Sequence, residues 1–308
     1  MTDRAYDILI IGGGPIGASA AYHLALAKSG KRVALITKDN AEQSDAAYKN
    51  AGGCVRWFWD DPLKRAMTEE TRDFIEARLA EGVDLDALRN PYLFVHRGAL
   101  VPSFTLTGAK LVNWMLDSAA KSGVEIARGV EAMAIEKEGN GYRVRTASGD
   151  IVATTVLVAL GAGGSSLVPG LTLETEKRQL FVLDLPVGPE RVGLPHTILP
   201  LGKGVAYFFI KKVAGELKVV VGQEGVIADA TADGPEPEQF AALLQAGLAE
   251  LSPFLAKAKV EKVLWGHDAA NKTLLIHEES PRLFAAACGS AVRGCAHIGR
   301  ELAAKLLA

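Results

Sequence analysis

The stretch AAYKNAGGCVRWFW, residues 46–59, sets one permanent cation, Arg56, among three large aromatics, Trp57, Phe58 and Trp59. A guanidinium can meet a carboxylate through two parallel hydrogen bonds, which fixes orientation as well as charge. A buried guanidinium without such a partner is costly, so it needs an acidic neighbour or an anionic ligand. Asp60, one helical turn away, offers the structural solution, and a surface arginine at the start of a buried helix is the other plain reading. Four small, turn-forming residues, Asn50, Ala51, Gly52 and Gly53, lead into this segment.

A second constellation lies near the N-terminus. DILIIGGGPIGASAAYHLALAKSG reads as a strand, Asp7 to Ile11, followed by Gly12, Gly14 and Gly17 in the spacing G-x-G-x-x-G. The first glycine makes the tight turn, the second lets a pyrophosphate approach the backbone, and the third lets helix and strand pack closely. The pyrophosphate then sits on the helix N-terminus, where free N–H groups and the helix dipole favour negative charge. The next strand delivers Thr37 where an acid would accept both ribose hydroxyls. Threonine offers one hydroxyl and no charge, so the ribose contact is weakened or moved. Two solutions stand open: NADP, whose 2′-phosphate would use Lys38 or Arg32, or Asp39, which lies on the same side of an extended chain.

The elements that must position these residues come from ordinary globular composition: 308 residues, 49% hydrophobic, 23% charged, with 32 glycines. That length suits one large or two interleaved domains. The net charge of −2, with Lys and Arg dispersed, leaves no footprint for nucleic acid. The opening MTDRAYD is not read as a signal peptide, and no apolar run approaches the ~20 residues of a transmembrane helix. Cys54, Cys288 and Cys295 form no CxxC pair, and the histidines have no metal spacing. No metal is expected, and a reducing, cytoplasmic setting is. A helix is expected over 108–122, a hairpin turn at Glu138-Gly139-Asn140-Gly141, and alternating strands in KRQLFVLDLPV, GVAYFFIKKV and GELKVVVGQEG. DGPEPEQ should open a helix that runs through Leu251.

Two further stretches, TTVLVALGAGGSSL (154–167) and LFAAACGSAVRGCAHIGRELAAKLLA (283–308), complete a pattern. With the N-terminal motif they resemble the D-amino-acid oxidase (DAO) family of FAD-dependent oxidoreductases, which includes glycine and sarcosine oxidases. The resemblance implies an α/β fold, a Rossmann-like FAD-binding domain interleaved with a mostly antiparallel substrate-binding sheet domain. It places the FAD-binding parts at 1–56, 98–172 and 266–308, and the cap at 57–97 and 173–265.

It also implies residue roles. Gly12, Gly14 and Gly17 would hold the ADP half of FAD with Thr37 and Lys38, and the backbone at Val130 would lie beside adenine. Asn50, Ala51, Gly52 and Gly53 would pass under the flavin. Gly161, Gly289, Arg293 and Gly294 would complete the ribityl and flavin half. Arg56 would bind a substrate carboxylate, with Arg293 and Tyr207 facing the substrate side. The chain departs from the pattern at Thr37, in the less glycine-rich CGSAVRG loop, and in a shorter substrate half. It has no cysteine near Trp265 for a covalent flavin bond, so FAD should be non-covalent. Val220 takes the slot where some oxidases carry a lysine that promotes oxygen reaction, with Lys218 two residues away on the same face. His267 reads as structural or surface, since its neighbour Asp268 points to the opposite face of a strand.

The expected function is oxidation of a C–N bond of a small, carboxylate-bearing amine or amino acid, by hydride transfer to flavin and hydrolysis of the imine. Electrons would pass to O₂ or another acceptor. The alternatives are a same-fold dehydrogenase serving a quinone or partner subunit, a non-catalytic flavin-binding subunit, and an NADP-dependent reductase. A homo-oligomer or partner subunit is compatible with each.

Overall fold

A computed structural model describes residues 5–39, 46–56, 59–168, 170–185, 187–188, 195–201, 204–224, 234–251, 253–271, 274–289 and 291–308. Five strands run parallel in one sheet, in the spatial order Glu125–Arg128, Val33–Thr37, Ala5–Ile11, Ile151–Val158, Leu283–Ala287. Leu275–Ser280 adds an antiparallel edge, and the hairpin Ala132–Glu138/Gly141–Thr146 pairs back onto Ile151–Val158. Near-continuous apolar runs such as Ile8 to Ile11 are buried on both faces, as parallel strands covered by layers on each side require.

The helices Pro15–Leu26, Gly108–Lys121 and Cys295–Leu307 cover one face. Their approach is close. A Cβ on Gly17 would come within 1.9 Å of the Gly12 carbonyl oxygen, and one on Gly299 within 2.1 Å of Ser19 Oγ. The expected helix over 108–122 ends at Lys121, and the expected turn is a two-residue one with Gly139 at φ 57.

The second sheet has seven strands, in the order Val260–Ala269, Thr175–Leu183, Glu216–Glu224, Gly204–Val213, His196–Leu201, Tyr92–Phe94, Ala99–Val101. Every pair is antiparallel except Tyr92–Phe94 with His196–Leu201. One face packs on a helix from Gln239 to Leu251 that kinks at Gly247, where φ is 109. Asp233, the first residue of the predicted helix opening, lies outside the described residues. A polar cluster seats this helix: Lys177 pairs with Glu236, the Glu236 amide donates to Gln179 Oε1 (2.6 Å), and Gln179 Nε2 donates to Gln239 Oε1 (2.8 Å).

The helix Pro62–Ala80 starts on Asp61, whose carboxylate accepts from the Leu63 and Lys64 amides at 2.9 and 3.1 Å. It packs on Cys295–Leu307, where Glu70 binds Arg300 Nε (2.6 Å) and His297 Nδ1 (2.7 Å). A short ribbon, Cys54–Arg56 with Ser103–Thr105, links the two sheets' neighbourhoods.

Candidate active site

One cavity of about 860 Å³ takes its walls from both sheets. It runs from Gly12, Gly13 and Gly14 past Asn50 to Gly53 and reaches Tyr207 and Phe209 of the second sheet. At the glycine end the helix Pro15–Leu26 has Gly14 at its N-cap, with no side-chain cap and no acid in its first turn. Its leading amides therefore need partners from elsewhere. A Cβ on Gly14 would meet only Tyr48 Cδ1, at 3.9 Å, so the space in front of that turn is open. An uncapped helix start, an open glycine cradle and a long continuous cavity fit a dinucleotide.

Thr37 is 6% exposed and its side chain lies against Gly13, where an added Cβ would come within 3.1 Å. Two acids border this end, Glu131 beside Val130 and Asp39; the Asp39 amide donates to Thr37 Oγ1 at 3.3 Å. Tyr48 Oη and Lys49 Nζ donate to the Asp39 carboxylate at 3.0 and 2.9 Å. Burial, and then the charge of Asp39, raise the Tyr48 phenol above its ordinary value, so the phenol stays a donor. Lys38 and Val130 also line this end. Arg32 does not: it sits at the far end of its strand over the Tyr6 ring, 3.7 Å from Glu125. Of the two cations that a 2′-phosphate would call on, only Lys38 is in place.

In the middle, the segment Asn50–Gly53 is glycine-rich for local reasons. Gly53 has φ 64, and a Cβ there would lie 1.9 Å from the Leu106 carbonyl oxygen. Gly161 also lines the cavity. Gly17, Gly289 and Gly294 do not line it; they permit close packing behind it. Gly289 would carry a Cβ into the Ala269 carbonyl at 2.2 Å, and Gly294 into Met67 Cε at 2.7 Å.

At the second sheet's end, Arg56, Arg293 and Tyr207 are brought onto one cavity wall. Arg56 lies over the rings of Trp59 (4.4 Å), Phe94 (5.1 Å) and Tyr92 (5.3 Å). Arg293 lies 4.9 Å from the same Trp59 ring. Asp60, offered by the sequence as a structural partner for Arg56, instead binds Arg97 at 3.0 Å. Among the described residues, Arg56 Nε is buried with no hydrogen-bond partner and no acid pairs with this side chain. Trp57 and Phe58 lie outside the described residues. Tyr207 stacks on Phe209 (6.1 Å between centroids) and lies over Gly222, whose Cβ would collide with its ring.

Sequence reasoning passed over a third arginine. Arg178 borders the cavity, held by Glu176 (2.9 Å from Nε) and Asp268 (3.5 Å). The signal was its parity: Arg178 is in phase with Leu180 and Val182, which face the cavity side. His267 also reaches the wall, edge-on to Trp265 at 5.8 Å. Cys54 faces the cavity, and burial raises its thiol. Lys218 does not border the cavity; it pairs with Glu216 (3.0 Å) and Glu261 (2.8 Å), and Val220 is fully buried. All three cysteines are unbridged. Among the described residues no acid, cysteine and histidine cluster could hold a metal, and no helix is long and apolar enough to cross a membrane.

The chain is similar in fold to glycine oxidase from Geobacillus kaustophilus (19% identity, TM-score 0.73, 98% of this chain and 94% of that one). It is likewise similar to L-proline dehydrogenase from P. horikoshii (16% identity, TM-score 0.80, 98% and 93%). In sequence it is 25% identical, over 54% of its length, to the probable electron transfer flavoprotein-quinone oxidoreductase YdiS of Escherichia coli (strain K12). That match spans 39% of the longer protein. The model of the DAO family, FAD dependent oxidoreductase, matches residues 7–107 and 95–305. Nearly the whole chain is thereby accounted for, glycine turn and arginine-bearing segments alike, and it belongs to the DAO family of FAD-dependent oxidoreductases.

Proposed function

We propose that this enzyme oxidises the C–N bond of a small amine or amino acid that carries a carboxylate, leaving an imine that water hydrolyses. The observation that carries this reading is Arg56, a guanidinium packed among rings with a buried, unpartnered Nε and a second arginine across the same indole. When bound, FAD supplies the hydride acceptor. Arg56 and Arg293 hold the carboxylate and so orient the C–H bond beside the nitrogen. Tyr92, Tyr207 and Phe209 keep water away, which strengthens both charge contacts. Tyr207, which lines the cavity, steadies the substrate from the cap side.

For the cofactor, the reading puts the pyrophosphate over Gly12 and Gly14, with Gly17 behind, and the ribose on Asp39 rather than Thr37. Lys38 and Val130 flank the adenosine. Asn50, Ala51, Gly52, Gly53 and Gly161 take the ribityl and flavin half, with Arg293 at its edge and Gly289 and Gly294 as packing positions behind. The cofactor-binding parts are then 1–56, 102–172 and 270–308, because the strands Ala99–Val101 and Val260–Ala269 both belong to the cap sheet, and this moves the expected boundaries at 98 and 266.

A second reading concerns the acceptor. Lys218 is engaged by two glutamates away from the cavity, and Val220 is apolar. Those facts favour a dehydrogenase that delivers electrons to a quinone or partner protein over an oxidase. Anaerobic titration of the yellow protein with a panel of amino acids and N-alkyl amino acids tests the reaction. Bleaching of the flavin band is expected, followed by faster reoxidation with a quinone than with O₂. A flavin that no amine reduces overturns the enzyme reading in favour of a non-catalytic flavin subunit.

A further inference from the structure

Lys211 is 5% exposed, on the strand Gly204–Val213 of the cap sheet. It is in phase with Tyr207 and Phe209, so all three point from one face of the strand, and the two aromatics line the cavity. Its Nζ donates to the Ala51 carbonyl at 2.8 Å, and among the described residues no acid pairs with it. A buried lysine whose hydrogen bond goes to a main-chain carbonyl is an expensive arrangement, and burial lowers its pKa accordingly. Its cross-strand neighbour Lys218 shows the ordinary alternative, an ammonium held by Glu216 and Glu261.

The carbonyl it holds belongs to the cavity-lining segment Asn50–Gly53, and the cap engages three successive residues there. Asn50 Nδ2 donates to the Trp265 carbonyl at 2.9 Å. Ala51 takes Lys211. Gly52 lies so near the Phe209 ring that a Cβ would approach Cζ to 2.9 Å. This segment is therefore not a free loop of the nucleotide layer; its position is set from the cap.

We propose that Lys211 is a positioning residue that couples cofactor binding to the cap sheet, by fixing the Asn50–Gly53 segment in the place where it receives FAD. This rests on the reading that FAD lies along that segment. A hydrogen bond to a charged group predicts that Lys211→Met weakens FAD about 10-fold to 100-fold. The melting temperature of the apoprotein should stay near wild type. Lys211→Arg, which keeps a donor, should recover most of the affinity, and Lys218→Met should leave it unchanged.

FAD dissociation constants from flavin fluorescence, with apoprotein melts, read these outcomes. If Lys211→Met loses apoprotein stability but keeps FAD affinity, the lysine is only packing and the proposal fails. Gly14→Asp separates the two readings, since it puts a negative charge where the pyrophosphate should lie. If Gly14→Asp loses FAD while Lys211→Met does not, the tether is wrong and the FAD placement stands. If neither changes FAD binding, the placement itself is wrong. Hydrogen exchange on the wild type gives a check that needs no variant. FAD should protect residues 46–56 and 204–213 together, and protection of the first alone overturns the coupling.

Discussion

At the glycine end of the cavity the part of the wall in front of the helix start is main chain from one short segment, Gly12, Gly13 and Gly14. At the cap end the wall is side chains from places far apart in the chain: Arg56, Tyr92, Arg178, Tyr207, Trp265 and Arg293. Backbone recognition needs only a conformation, which a spacing of glycines can specify. Side-chain recognition needs six segments to arrive in register, and each residue alone looks ordinary. The first end therefore tolerates little change in shape, and the second little change in charge.

The largest expected effect is at the charged end. Arg56→Ala should keep its flavin but bind a carboxylate inhibitor about 2–5 kcal/mol more weakly, roughly 30-fold to several thousand-fold. Arg56→Lys should recover only part, since an ammonium lacks the planar fork. Titration of flavin absorbance measures both, and an unchanged constant in Arg56→Ala would move the anchor to Arg293.

Next comes shape. Gly17→Ala forces a methyl to within 1.9 Å of the Gly12 carbonyl. It should destabilise the apoprotein by about 3 kcal/mol, at the upper end of overpacking costs. Gly14→Ala meets open space and should leave the apoprotein melt unchanged while loosening FAD. Equal effects of the two substitutions on apoprotein stability would erase the distinction between cradle and packing glycine.

The cap should also respond to acid. His196, between the rings of Tyr92 and Phe209, has its pKa lowered by burial from 6.5 to about 4. The unfolded chain takes up the proton first, so stability is full above about 6.5 and falls as pH drops toward about 4. The loss approaches 3 kcal/mol on an order-of-magnitude basis. Denaturant melts across that window should show this slope in wild type and lose it in His196→Gln. A slope that survives belongs to other groups.

The smallest effect is at Asp39. Asp39→Asn keeps the size but removes the charge, and should weaken FAD by about 1.5 kcal/mol, roughly tenfold. Unchanged affinity would return the ribose to Thr37.

The glycine turn and the alternating strands were legible because each rests on a local period or spacing, whereas their assembly into a parallel sheet and an antiparallel cap came from the resemblance to the DAO family. The turn at Gly139 and the helix from Gly108 fell where their residue types required. Asp39 stood in the sequence as one of two solutions, and its contacts with Tyr48 and Lys49 were not legible because they depend on those residues folding back onto it. The pairing of Asp60 was not legible. Its spacing suggested Arg56, but the turn after Tyr92–Phe94 brings Arg97 closer. Lys211 carried no sequence signal, since a lysine in KKV near a strand end normally reaches solvent.

The strand order has a consequence for how the molecule comes into being. Ala5–Ile11 finds one neighbour, Val33–Thr37, almost at once, but its other flank waits for Ile151–Val158, and the cavity wall waits for Arg293. Pairings so distant along the chain are slow to close and leave an apolar edge uncovered meanwhile. A chain emerging from the ribosome thus carries its glycine turn long before Ala159, against which Gly12 packs, has been made. The cavity as a whole therefore closes only once the last strand and its following turn have been made.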